Sequence, residues 1–95
     1  MVVAFAKFPM GQLTATRGMI DKMAAEPDYF RVCICKHLAG DWGDLGEEDK
    51  RINNYSLKHG MRLLSAYPLP NDPDRFWIIT EADRSVTTLL LPDEY

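Results

Sequence analysis

The sequence predicts an α+β domain, with about three short helices packed on a three- to four-stranded antiparallel sheet that ends in a C-terminal β-meander. Three observations predict it. Residues 61–95 hold three apolar, β-rich runs separated by polar turns. The connections between those runs are short, which favours antiparallel hairpins. The helix-forming segments all precede them, and helices followed by a meander is the α+β order, with the helices on one sheet face.

The elements follow in chain order. Lys7 to Thr16 is an extended lead, and Gln12-Leu13-Thr14-Ala15-Thr16 alternates as a strand does. Thr16 can cap a helix from about Arg17 to Ala25 by accepting from a free backbone N–H, and Met19, Ile20 and Met23 lie on one face of it. Gly18 inside it costs about 1 kcal/mol relative to Ala. Pro27 suits the first turn of a second helix running to about Leu38, with Gly40 as a left-handed stop. Val32-Cys33-Ile34-Cys35 also suits a strand, but Tyr29, Phe30, Cys33, Ile34 and Leu38 share a helical stripe, so helix is the reading.

Gly40 to Gly46 is a loop, glycine-rich because the chain must turn sharply there. A third helix runs from about Glu47 to His59. Its acidic first turn and basic last turn both match the dipole, and Gly60 closes it. Strands follow at Met61–Leu69, Arg75–Glu81 and Ser85–Leu91, the first pair joined by the turn Pro70-Asn71-Asp72-Pro73-Asp74.

Ninety-five residues make one domain able to bury roughly 60–70% of its unfolded surface. Apolar residues are 46% and charged residues 26%, ordinary for a soluble globular chain. A net charge of −3 lacks the Lys and Arg excess that phosphate neutralisation needs, so direct nucleic-acid binding is not expected. No run approaches the ~20 apolar residues of a bilayer span. Met1 to Lys7 is too short for a signal-peptide core and has no basic lead-in, so a cytoplasmic location is expected. Cys33 and Cys35 are then reduced thiols, badly placed for a mutual disulfide.

Gly40-Asp41-Trp42-Gly43-Asp44-Leu45, Glu47-Glu48-Asp49-Lys50, Leu64-Ser65-Ala66-Tyr67, Trp77 to Ser85 and the closing Leu90 to Tyr95 form a pattern. It resembles a family of short bacterial plasmid-related proteins carried on mobile genetic elements. The likeness covers about Lys7 to Tyr95. It implies a mobile-element passenger and brings no catalytic residues with it. Two departures are Arg17, where relatives often have proline, and the cysteine-containing run Val32 to Cys35.

Asp41, Asp44, Glu47, Glu48 and Asp49 place five carboxylates in nine residues. They read either as an anionic patch that docks on a basic protein surface or as a helix start dressed to suit its dipole. Trp42 is either an exposed anchor of that patch or a buried plug at the corner between helices. Trp77, in an apolar strand centre, reads as core.

Glu81 and Arg84, with His37 or His59, are the residue types that cleavage of RNA by 2′-hydroxyl attack would use. The same turn also reads as a plain hairpin with local caps. Cys33, Cys35 and His37 form a C-x-C-x-H string, but zinc wants four such ligands and only His59 remains, so core thiols are the preferred reading and no metal is assigned. Lys50, Arg51, Lys58 and Arg62 read as a solvated basic stripe.

The function expected is therefore that of a non-enzymatic, mobile-element-encoded protein. It would bind and modulate a basic protein partner, a nucleic-acid-handling or host-defence complex of the restriction or CRISPR type. Asp41, Trp42, Asp44, Glu47 and Glu48 form the candidate surface, and no cofactor is expected. A small metal-independent ribonuclease or toxin and a plasmid-maintenance accessory protein are the alternatives. Nothing in the sequence locates a dimer face.

Overall fold

The computed structural model describes residues 6–95, so the reading of Met1 to Lys7 as too short for a signal core falls mostly outside the described residues. The chain runs β1 (Gln12–Ala15), α1 (Arg17–Ala25), α2 (Pro27–Leu38), α3 (Glu47–His59), β2 (Leu63–Pro68), β3 (Arg75–Thr80), β4 (Val86–Leu90) and a closing 3-10 turn, Pro92–Glu94. The α+β class and the meander are as expected. No described helix is long and apolar enough to cross a membrane.

The sheet departs from expectation in one respect: it is mixed. Its order is β1-β4-β3-β2, and β1 lies parallel to β4, Gln12 opposite Val86 and Ala15 opposite Leu89. Short turns force β2, β3 and β4 to alternate. No turn constrains β1, which reaches the sheet from the far end of the chain and whose partner comes only after all three helices.

Alternation along the strands sorts the side chains. Leu63, Ser65 and Tyr67 of β2 stand beside Thr80, Ile78 and Phe76 of β3, with Thr87 and Leu89 of β4 in the same rows, and all are buried. Against this face pack Phe30, Cys33, Ile34, His37 and Leu38 of α2 and Met19 of α1. The run Val32 to Cys35 is helical because that stripe needs the helical period. Ile20 departs from its expected face and is 56% exposed. Trp77 is a second correction: between core-facing Phe76 and Ile78 it points to the opposite sheet face, where it is half-buried and meets Tyr95 edge-on at 5.7 Å.

Two chain ends are tied together at Gly18. Thr16 makes no side-chain cap on α1, contrary to expectation. Its hydroxyl donates to Glu94 Oε1 at 2.5 Å, and Glu94 Oε2 accepts from the Gly18 N–H at 2.8 Å. A Cβ on residue 18 would stand 2.8 Å from that carboxylate and 2.7 Å from Leu91. A glycine in the first turn of α1 leaves room for the Glu94 side-chain carboxylate to cap the helix.

Candidate functional site

The loop from Gly40 to Gly46 is held against the free side of β2. Gly43 pairs with Ala66, where the Asp44 N–H donates to the Ala66 carbonyl at 2.8 Å and the Ala66 N–H donates to the Trp42 carbonyl at 3.2 Å. Gly43 has φ +75, and a Cβ there would lie 2.0 Å from the Ala66 oxygen, so only glycine lets the loop approach so closely. Anchored this way, the loop turns its acidic side chains outward and its tryptophan inward.

Trp42 is 3% exposed, so of the two readings offered by the sequence the structure holds the plug. Its ring lies between Phe8, 6.5 Å away and stacked, and His37, 5.8 Å away and edge-on. Its Nε1–H donates to Asn54 Oδ1 at 2.9 Å. The tryptophan that was to anchor a partner is instead a core residue that fixes the loop to α3.

Asp41, Asp44, Glu47 and Glu48 are all exposed. Three of them meet cations of their own chain: Asp44 with Arg75 at 3.3 Å, Glu47 with Lys50 at 3.9 Å and Glu48 with Arg51 at 3.6 Å. Exposed pairs of this kind are worth about 0–1 kcal/mol, so a competing cation displaces them at little cost. Asp41 Oδ1 accepts from the Gly43 N–H at 3.2 Å.

Asp41 and Asp44 border an open cleft of about 450 Å³, with Lys36, Tyr29, Cys33 and Tyr67 among its walls. Burial pushes the Tyr29 phenol up to about 12 and also raises the Tyr67 phenol and the Cys33 thiol. Near neutral pH those walls are uncharged, and the cleft takes its charge from two carboxylates and one lysine.

The residues of the ribonuclease reading do not form an open site, although Arg84 lies near both His37 and the Glu81 backbone. His37 is 0% exposed, Glu81 pairs with Arg62 at 3.6 Å, and His59 stacks on Tyr55 at 4.1 Å. Arg84 holds the turn before β4 to the end of α3. Its guanidinium donates to the carbonyls of Met61 at 2.7 Å, Glu81 at 3.0 Å and Ser56 at 3.4 Å, and stands over the Phe8 ring at 5.6 Å. Its backbone lies in the left-handed region, φ +62, as the turn demands. Of the expected basic stripe, Lys50, Arg51 and Arg62 are the cations of the ion pairs just named.

Behind the loop runs a polar chain that sequence reading missed. Thr87 Oγ1 donates to the Met10 carbonyl at 2.7 Å, and a carbonyl can only accept. That fixes the direction of the links as far as His37 Nε2, and the neutrality of the buried ring fixes the last one, to Ser65. Thr80 Oγ1 therefore donates to Thr87 Oγ1 at 2.7 Å, His37 Nε2–H donates to Thr80 Oγ1 at 2.9 Å, and Ser65 Oγ donates to His37 Nδ1 at 2.5 Å. The chain places a proton on Nε2, and burial keeps the ring neutral. Burial, then the nearby Arg84 charge, lowers its pKa to about 3. Ser65, Thr80 and Thr87 are also 0% exposed, so this serine–histidine pair meets no substrate. The signal was in the sequence: Ser65, Thr80 and Thr87 occupy core-facing positions where only a paired hydroxyl belongs. No protein-family model, curated protein or solved structure matches this chain.

Proposed function

We propose that the protein works by binding another protein through the acidic loop and the first turn of α3, and that the partner presents a basic surface. One observation carries this reading: Asp41 and Asp44 rim an open cleft beside Glu47 and Glu48, and every ion pair these carboxylates make is exposed and cheap to exchange. A lysine or arginine entering the cleft exchanges Arg75 for itself and gains Tyr29 and Tyr67 as walls. Trp42 supports the surface from beneath and is not part of the contact. Charge complementarity of this kind speeds encounter and selects partners. The resemblance to plasmid-related, mobile-element proteins supports a nucleic-acid-handling or host-defence complex as the target, since such machines carry basic surfaces.

The test is affinity capture from a bacterial lysate with mass-spectrometric identification. The unmodified chain is expected to retain a basic protein, with retention falling as salt rises. The triple reversal Asp44→Lys, Glu47→Lys, Glu48→Lys is expected to lose it at least tenfold while keeping the circular-dichroism melt. Equal retention by the triple variant refutes the surface.

A further inference from the structure

The two edges of the sheet are finished differently. Along β2 every outward backbone group has a partner. The Leu64 N–H donates to Asn53 Oδ1 at 3.1 Å and its carbonyl accepts from Asn53 Nδ2 at 2.5 Å. Ala66 bonds Trp42 and Asp44 as described, while Pro68 has no N–H and its carbonyl accepts from the Tyr29 hydroxyl. This edge is sealed.

Along β1 nothing comparable happens. The Gln12 N–H donates to Ser85 and the Thr16 N–H to Leu89, so Gln12, Thr14 and Thr16 point their backbone groups at β4. Leu13 and Ala15 point theirs the other way, at the end of the sheet, and no described residue pairs with them. The edge is short, four residues, but it carries no lysine, no proline and no bulge to turn a second strand away. Met10 to Thr16 is uncharged in a chain of net −3. Leu13 is 40% exposed and lines an open, mostly apolar hollow of about 220 Å³ with Met23, Pro27, Phe30, Ile34 and the Arg31 side chain.

We infer that the β1 edge is the homodimer interface of this protein, two copies pairing β1 antiparallel to β1 about a two-fold axis at Thr14. The outward groups prescribe that register. With Thr14 opposite Thr14, Leu13 of each copy faces Ala15 of the other. The two residues of each such pair exchange both N–H···O=C bonds, and no outward group of Leu13 or Ala15 is left over. A large side chain then meets a small one on the helix-bearing face, and each Leu13 covers the apolar hollow of the other copy. The strand brings no charge to the contact, and Arg31 at the hollow is already paired with Asp28 of its own chain at 2.8 Å. Because β2 is sealed, the assembly stops at two and does not grow into a filament. The surface lies at the opposite end of the sheet from the acidic loop, so the dimer does not depend on the proposed partner.

Sedimentation equilibrium of the full chain tests it. A mass about twice 10.9 kDa at micromolar concentration is expected. Ala15→Pro removes an outward N–H that no described residue accepts from, and Leu13→Lys adds the missing guard at an exposed position. Each is expected to raise the dimer dissociation constant at least tenfold, with the thermal melt of the monomer retained. Register is read by oxidation of cysteine variants. Thr14→Cys places two Cα atoms about 4.5 Å apart, within disulfide reach. Gln12→Cys leaves them about 13 Å apart. A covalent dimer from the first and not the second supports the register. A monomer at all concentrations, equal crosslinking of both, or an intact dimer in Leu13→Lys overturns the proposal.

Discussion

Gly43 is the residue on which the acidic loop depends. Its φ of +75 is a region where other residues are strained, and its missing Cβ leaves room for the Ala66 carbonyl. Gly43→Ala puts a carbon where it would lie 2.0 Å from that oxygen, which no side-chain rotation relieves. The loop must then lift off β2, breaking the bonds of Ala66 to Trp42 and Asp44. A loss of about 3 kcal/mol is expected, the range of overpacked and backbone-strained sites. Urea unfolding of Gly43→Ala beside Gly46→Ala measures it. Residue 46 has open space for a Cβ and a negative φ, so its substitution is expected to cost well under 1 kcal/mol. Two glycines close in sequence thus carry very different weights, and only the structure separates them.

At the scale of elements, Asn53 shows how a helix protects a strand. It is 6% exposed on α3, and its amide reproduces the pairing that a neighbouring strand would give Leu64. Asn53→Ala leaves a buried N–H and carbonyl unmet. A loss of about 2–3 kcal/mol is expected in urea unfolding, together with concentration-dependent aggregation by light scattering as the β2 edge becomes available. Asn53→Asp, which keeps the acceptor and loses the donor, is expected to fall between. The helices and the meander were legible in the sequence, because 3.6- and 2-residue periods, glycine stops and dipole-matched ends are local signals. Trp77 was misread because apolar neighbours outweighed strict alternation. The β1–β4 pairing joins residues far apart in the chain, as does the cap that Glu94 supplies to α1, and no local pattern announces either. Of the candidate surface, the exposure of the carboxylates was legible. Their ion pair to Arg75 and the burial of Trp42 depend on where β2 meets the loop, which no short window contains.

For the whole molecule, the buried histidine sets the response to acid. His37 is held neutral by its burial and by the nearby Arg84 charge, and its folded pKa of about 3 lies below the ordinary value near 6.5. The unfolded chain therefore binds a proton that the folded chain refuses. The stability linked to this group is complete above pH 6.5 and falls as the pH drops from there toward 3, by up to about 1.4 kcal/mol per unit. Between pH 7.5 and 5 the loss is expected to reach about 2 kcal/mol. Asp83 and Glu94 have carboxyls lowered by their hydrogen bonds to Ser85 and to Thr16 and Gly18, so their contribution is lost only at more acid pH and leaves this window clear. His37→Gln keeps one acceptor for Ser65 and one donor for Thr80 without a titrating group. Urea unfolding across pH 7.5 to 5 is expected to give a sloping profile for the unmodified chain and a flatter one for His37→Gln, whatever their difference at neutral pH. Parallel slopes would mean that His37 takes up its proton inside the folded protein, and that the polar chain reorganises to accept a charge.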